Sequence, residues 1–548
     1  MIGRPADLTT PIDLGAEPGT GPVRERRPLY VDLLPPCNQA CPAGENIQAW
    51  LAAARSGRYR EAWLALVRDN PLPAIHGRVC YHPCESACNR MRIDSAVSIH
   101  GVERFLGDLA AREGWSLPID APPSNKRVLV IGAGPSGLSA AYHLARLGHA
   151  VEVRDAGSAA GGMLRFGIPA YRLPRDVLAS EVRRIEAMGV SFVFDHRVED
   201  LLAERASGRF DAVYVAIGAG VSKHVDIPAR DAARVLDAVS MLHDVSAGER
   251  PLLGRCVVVY GGGNTAMDAA RTAKRLGADD TLIIYRRDRA HMPAHAFEAD
   301  EAIEEGVRIK WLTTIKEIAG PELTVETMEL DADGRAHPTG RVEHLRADAT
   351  VLALGQETDS AFLRRIPELR FAEDGALKVG PDMMAGHPGI FTGGDVVAAE
   401  RTVTVSAGHG KKAAGHIDAY LRGADLHAPL KHPVATFEAL HLPIYSDAER
   451  RESAALPPAQ RAGGFAEVIA GLSDVQARYE AGRCLSCGNC FECDQCFAAC
   501  PEQAIEKLGP GRRYRFLYER CTGCAVCYET CPCHAIEMIL EPRALESP

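Results

Sequence analysis

VLVIGAGPSGLSAAYHLARLG, residues 128–148, decides the fold. An apolar run at 128–131 leads straight into Gly132, Gly134 and Gly137, and an alanine-rich helical stretch follows. A strand, a G-x-G-x-x-G turn and a helix in that order form a dinucleotide-binding unit. Its glycines permit a tight turn and let a pyrophosphate approach the helix N-terminus, where unpaired N–H groups gather. An acid about 20 residues further on is expected to hold a ribose hydroxyl. Asp155 closes VEVRD at that distance, and Glu152 lies earlier in the same strand.

The pattern recurs at 256–277, CVVVYGGGNTAMDAARTAKRLG, with Gly261, Gly263 and Ala266 in the three small positions. Here the second strand, TLIIY, ends in Arg286 and Arg287. Arginines there pair with a 2′-phosphate that an acid would repel, which favours NADP(H) over NAD(H). Two nucleotide sites in one chain suggest one flavin and one nicotinamide. A third glycine stretch, FTGGDVVAAERTVTVSAGHGKKAA (391–414), sets Gly394 and Asp395 between a strand and a helix, where the acid would meet a ribityl chain.

Around these turns, strand-like runs at 128–131, 151–153, 212–217, 256–260, 281–285, 350–354 and 389–391 alternate with helical segments, as a doubly wound α/β fold requires. Ahead of them, 45–70 and 99–113 have helical periodicity. Residues 1–30 read as an arm, 122–125 (PPSN) as a linker, and 426–480 as less regular chain. With 548 residues, three or four domains are expected.

Seventeen cysteines cluster at the two ends: five from 37 to 88, eleven from 484 to 533, and Cys256 alone between. The opening MIGRPADLTTPIDLGAEPGTG has no apolar stretch suited to a signal peptide, and no run approaches the roughly 18 residues that span a membrane. A cytoplasmic location is therefore expected, and thiols there are metal ligands rather than disulfides. A net charge of −10 argues against nucleic acid as the main partner.

Near the C-terminus, Cys490, Cys493, Cys496 and Cys500 precede Pro501, and Cys521, Cys524, Cys527 and Cys531 precede Pro532. These are two bacterial-ferredoxin halves, in which the fourth cysteine of each run serves the other [4Fe–4S] cluster. Cys531 thus joins Cys490, Cys493 and Cys496, and Cys500 joins Cys521, Cys524 and Cys527. Cys484 and Cys487 precede the first run and exceed its needs. Cys533 and Cys256 read as passive thiols, and His76, His291 and His295 as loop or core histidines.

The glycine turns, with GGMLRFGIPAYRLP (161–174) and YRRDRAHMPA (285–294), resemble the small subunit of bacterial glutamate synthase over about residues 30–425. They are also similar to the flavin half of dihydropyrimidine dehydrogenase and the large subunit of ferredoxin–NADP transhydrogenases. The resemblance implies a multidomain α/β protein with a helical iron–sulfur domain (1–122) and an FAD domain (123–250 and 346–425). An inserted NAD(P)H domain (251–345), an arm (426–482) and an α+β ferredoxin domain (483–548) complete it. FAD would be held by Gly132, Gly134, Gly137, Asp155, Gly162, Gly394 and Asp395. NADPH would be held by Gly261, Gly263, Asn264, Thr265, Ala266, Arg286 and Arg287. Ala216-Ile217-Gly218 and Ala353-Leu354-Gly355 match the family's crossings between the two domains. Hydride transfer needs alignment more than a proton donor, so no catalytic acid or base is expected.

The resemblance further implies two N-terminal clusters. Cys41, Cys80 and Cys84 match three ligands of one, with Glu103 of SAVSIHGVERF at the fourth position. Cys37 and Cys88 match two ligands of the other, whose remaining pair lies upstream in relatives. Residues 1–36 contain no cysteine. FAEVIAGLSDVQARYEAGRCLSCG (465–488) resembles that missing arm, so Cys484 and Cys487 are expected to fold back beside Cys37 and Cys88. Sixteen ligands then serve four [4Fe–4S] clusters.

Such a chain is expected to be an NAD(P)H-linked electron-transfer subunit serving ferredoxin or a 2-oxoacid:acceptor oxidoreductase. A glutamate synthase small subunit and a non-catalytic redox sensor or scaffold are the alternatives.

Overall fold

The computed structural model describes residues 24–119, 121–223, 227–230, 234–426 and 432–541. Most of the expected arm (1–30) lies outside them.

The first glycine turn belongs to a five-stranded parallel sheet. Arg127–Ile131 is central, with Ala150–Arg154 and then Ser191–Val193 on one side, and Ala212–Val215 and then Ile390–Thr392 on the other. Val128, Val130, Val151, Val153 and Tyr214 are buried because helices cover the sheet. The helix Val403–Arg422 packs beside Pro135–Arg146. Glycines let them touch: a Cβ on Gly410 would lie 2.3 Å from the Ser136 carbonyl oxygen. One on Gly408 would lie 2.1 Å from that of Pro42. This helix therefore wedges between the first dinucleotide turn and the Cys41 loop.

The second turn lies in another five-stranded parallel sheet, ordered Arg308–Lys310, Asp280–Ile284, Cys256–Tyr260, Ala349–Leu352, Val235–Asp237. Both of the last two strands fall outside the expected 251–345. The chain crosses at an antiparallel ribbon just past the expected segments 216–218 and 353–355, where Val221–Ser222 pairs with Gln356–Glu357. The physical reason is coverage: Cys256–Tyr260 is fully paired only when Ala349–Leu352 lies beside it. A further sheet, Thr313–Ala319, Glu322–Leu330 and Ala336–Arg346 with Ala229–Arg230 at its edge, was not legible in the sequence. Its outer strand is exposed along nearly its whole length and shows no alternation to read.

The cysteine-rich N-terminal segment is helical, with Ile47–Arg55, Tyr59–Val67, Pro73–Val79 and Ile99–Glu113 around buried Trp50, Leu51, Leu66 and Leu106. The arm before the ferredoxin run is docked on this segment. Its helix Asp474–Gly482, started by a Ser473–Gln476 capping box, buries Ala477 and Ala481 in that same core. The end of the N-terminal arm is also structured: Arg26–Tyr30 pairs antiparallel with Ile536–Leu540, the last ferredoxin strand.

Candidate functional site

At the first turn, Gly132 adopts φ +102°, and a Cβ there would lie 2.3 Å from the Ala216 carbonyl oxygen. At Gly137 it would lie 1.9 Å from the Gly132 carbonyl oxygen. Both glycines are required by backbone packing. Gly134 is open, its nearest neighbour being the Gly162 Cα at 4.0 Å. The Asp155 carboxylate accepts from the Ala133 and Gly157 amides at 2.6 and 2.7 Å, which fixes it at the turn. Asp395 accepts from Ser406 Oγ at 2.8 Å, and burial raises its carboxyl above the usual range.

These residues line one cavity of about 450 Å³, together with Gly162, Gly394, Asn264 and Thr265. One space therefore joins the two dinucleotide turns. Its volume suits a cofactor-sized ligand.

At the second turn, Gly261 is again forced, since its Cβ would lie 2.2 Å from the Ala353 carbonyl oxygen. Gly263 has nothing within 4 Å of such a Cβ, so its face is open for a phosphate. Ala266 is fully buried in the helix Asn264–Arg275. Arg286 is exposed just past Asp280–Ile284, and Arg287 Nε donates to Tyr285 Oη at 2.9 Å. Asn264 donates through Nδ2 to Tyr81 Oη at 2.6 Å and accepts the His295 amide at 3.1 Å. The Tyr81 ring stacks on His295 with centroids 3.6 Å apart. Tyr81 follows Cys80 directly and lines the same cavity, so the first cysteine group touches the nucleotide space. His291 is tied to Asp288 at 2.7 Å.

Beside that cavity, Cys41 and Cys80 each feel Glu103, and Cys84 feels Cys80 and Cys41. Burial and then Glu103 push the Cys80 thiol up to about 12, and burial followed by Cys80 drives Cys84 well above its ordinary range. Glu103 is buried, and burial and then Glu45 raise its carboxyl strongly. Asn70 Nδ2 donates to both, at 2.7 Å to Glu103 and 3.0 Å to Glu45. Glu45, at the start of the helical stretch 45–70, was not anticipated as part of this group. His76 sits on Pro73–Val79 with both ring nitrogens unpartnered, its ligand atom within 4.8 Å of those of Glu45 and Glu103. So many buried thiols and carboxyls in contact repel one another once ionised, and a cationic group between them fits that donor set.

The second group joins both ends of the chain. Burial and then Cys484, Cys88 and Cys487 raise the Cys37 thiol. Cys484 is pushed up to about 12 and Cys487 to about 11, in each case by burial first and then by neighbours that include Cys88. Asn89 Nδ2 reaches Cys487 Sγ at 3.5 Å. Buried Arg483 fastens the segment, donating to the Ala96 and Ser95 carbonyls at 3.0 and 2.7 Å and to Asp94 at 3.0 Å. Gln48 Nε2 donates to Ser486 Oγ at 2.5 Å on the far side. Cys37, Cys88, Cys484 and Cys487 are thus brought together.

The remaining thiols form two groups. Cys490, Cys493 and Cys496 feel Cys531, while Cys527 feels Cys521, Cys524 and Cys500. Cys533, expected to be passive, is buried with its Sγ 3.8 Å from that of Cys531 and faces Cys490 and Cys493. Cys524 is exposed. Cys256 stands alone at the start of a strand of the second sheet.

Two dinucleotide turns on one cavity, flanked by thiol groups of iron–sulfur type, define a flavin- and nicotinamide-dependent redox protein. Residues 126–410 match the pyridine nucleotide-disulphide oxidoreductase family, and the chain belongs to it. Residues 31–115 match the dihydropyrimidine dehydrogenase domain II 4Fe-4S family, and 489–535 a 4Fe-4S dicluster domain. Cys484 and Cys487 fall outside both matches. The NADP(+)-dependent formate dehydrogenase subunit beta of Moorella thermoacetica is 36% identical over 499 residues, covering 82% of this chain and 70% of the relative. The NADPH-Fe(3+) oxidoreductase subunit beta of Geobacter sulfurreducens is 33% identical over 504 residues, covering 82% and 75%. The glutamate synthase [NADPH] small chain of Azospirillum brasilense is 33% identical over 430 residues, covering 72% and 88%. The chain is an NAD(P)H-dependent FAD and iron–sulfur oxidoreductase. No helix among the described residues is long and apolar enough to cross a membrane.

Proposed function

We propose that this chain is the NADPH-oxidising electron-transfer subunit of a larger redox complex, with four [4Fe–4S] clusters between its flavin and its surface. One observation carries the reading: the candidate sites are contiguous. The cavity at Gly134 and Asn264 is bordered by Tyr81, next to Cys80. Cys37 sits in the short helix Pro36–Ala40, which Cys41 ends, and Cys84 sits in Pro83–Ser86, just ahead of Cys88. Cys487 and Cys490 are separated by two residues, a span of about 10 Å at most.

When bound, FAD accepts the nicotinamide's electron pair as hydride and the clusters carry single electrons. The chain's own residues bind and align. Gly134 and Gly263 leave room for pyrophosphates at two helix N-termini, with Gly132, Gly137, Gly261 and Ala266 shaping the turns. Asp155 and Asp395 would meet hydroxyls of the flavin nucleotide, beside Gly162 and Gly394. Asn264 and Thr265 open the nicotinamide side, and Arg286 and Arg287 take a 2′-phosphate. Cys41, Cys80, Cys84 and Glu103 would hold the cluster nearest the flavin, and Cys37, Cys88, Cys484 and Cys487 the next. Cys490, Cys493, Cys496 and Cys531 follow, then Cys521, Cys524, Cys527 and Cys500, where exposed Cys524 marks the way out.

Relatives named as beta subunits of NADPH-linked complexes support the subunit reading. The partner is then a catalytic subunit such as a 2-oxoacid:acceptor oxidoreductase, or ferredoxin. NADPH-driven viologen reduction by the holo-protein tests the reading, and affinity capture from native extract identifies the partner. Failure to reduce viologen with either nicotinamide cofactor would return the chain to a sensor or scaffold.

A further inference from the structure

Tyr30 lies far outside the ferredoxin sequence yet inside the ferredoxin core. The strand Arg26–Tyr30 runs antiparallel to Ile536–Leu540, placing Tyr30 opposite Ile536. Its ring stacks on Phe516 with centroids 4.8 Å apart. It packs with Cys490, Cys496 and Cys531 in one apolar cluster. The same arm clamps the other cysteine run: Arg24 Nη1 donates to the Cys521 carbonyl at 3.0 Å, and Tyr518 Oη donates to the Pro28 carbonyl at 3.0 Å.

The Tyr30 hydroxyl is buried, and among the described residues it lies against the Cys496 sulfur without forming a well-aligned hydrogen bond. It stands beside the Cys496 thiol, with Cys490 and Cys531 also close enough to act on it. An unmet phenol donor in the interior is costly unless something accepts its proton. Here the neighbouring acceptors are the sulfurs of one ferredoxin ligand set.

We propose that Tyr30 donates a hydrogen bond to a sulfur of the cluster held by Cys490, Cys493, Cys496 and Cys531, and so raises that cluster's reduction potential. Donors to cluster sulfurs stabilise the negative charge added on reduction. The N-terminal strand is then both a structural part of the ferredoxin module and the element that sets one step of its potential ladder. The inference rests on the cluster assignment proposed above.

The test is an EPR-monitored redox titration of the full-length holo-protein and its Tyr30→Phe variant. The variant keeps the ring and its stack, so iron content should not change. One ferredoxin midpoint should fall by about 59 mV, the equivalent of a tenfold change in the ratio of reduced to oxidised cluster, and the other should stay. Tyr518→Phe, which removes a hydroxyl bonded only to backbone, should shift neither. Unchanged midpoints in Tyr30→Phe, an equal shift in Tyr518→Phe, or loss of iron from Tyr30→Phe would each overturn the role of Tyr30. A wild-type protein lacking two ferredoxin signals would instead overturn the cluster assignment itself.

Discussion

Asn89 Nδ2 donates to Cys487 Sγ across 3.5 Å, joining positions 398 residues apart at one thiol. The same amide reaches the Ala435 carbonyl at 3.1 Å. Asn89 follows Cys88 directly, so the contact draws the Cys484–Cys487 loop onto the N-terminal helices. Arg90 extends it, donating to the Arg483 carbonyl at 3.2 Å. Two ends of the chain are thereby folded as one body.

Arg483 is the fastener whose removal should be felt most. It pairs with Glu480 at 2.8 Å and Asp94 at 3.0 Å, and Glu480 is fully buried. Arg483→Met leaves that carboxylate without its cation, a loss of about 3–5 kcal/mol for a buried pair. The first thermal transition of the holo-protein should drop, and protease should cut between 440 and 490 sooner.

The glycines divide into two kinds, which substitution separates. Gly137→Ala forces a Cβ to 1.9 Å from a carbonyl oxygen and should destabilise the protein and reduce its flavin content. Gly263→Ala meets nothing within 4 Å and should leave stability unchanged. It should nevertheless raise the KM for NADPH, because the added methyl stands where a phosphate approaches. Calorimetry and steady-state kinetics on the two variants check this.

On the proposed reading, Arg286 and Arg287 carry the preference for NADPH. Replacing both with Ala should lower kcat/KM for NADPH roughly ten- to hundredfold, as expected for charge-assisted hydrogen bonds of about 1.5–3 kcal/mol. NADH turnover should barely change.

Stability should fall on mild acidification through His143. Burial first, and then Lys411 and Arg146, lower this imidazole to about 3, and its Nε2 has no partner. Between roughly 6.5 and 3 the unfolded chain binds a proton that the folded chain refuses, so stability rises with pH across that window. The contribution reaches about 2 kcal/mol by pH 5. His143→Gln should flatten the dependence of the melting temperature between pH 7 and 5.

The strand–glycine–helix turns were legible because their pattern is local, even though Gly132 and Gly261 answer the distant carbonyls of Ala216 and Ala353. The ferredoxin runs were legible for the same reason. The ribbon at 221–222 and 356–357 lies just past Ala216-Ile217-Gly218 and Ala353-Leu354-Gly355, the crossings that the resemblance implied, while its strand pairing leaves no mark on either segment. Glu45 was missed because nothing near PAGEN shows that Asn70 and Glu103 will close over it. Tyr30 was missed because a strand partner 506 positions away cannot be read from one tyrosine. The meeting of Cys484 and Cys487 with Cys37 and Cys88 was anticipated from a shortage of cysteines at one end and a surplus at the other.

The most direct measurement is iron content and EPR of the Cys484→Ser, Cys487→Ser double variant beside the wild type. The account predicts about sixteen irons per wild-type chain and about twelve in the variant, with both ferredoxin signals and the flavin retained. A wild type with about twelve irons, or a variant that keeps every cluster of the wild type, would contradict it.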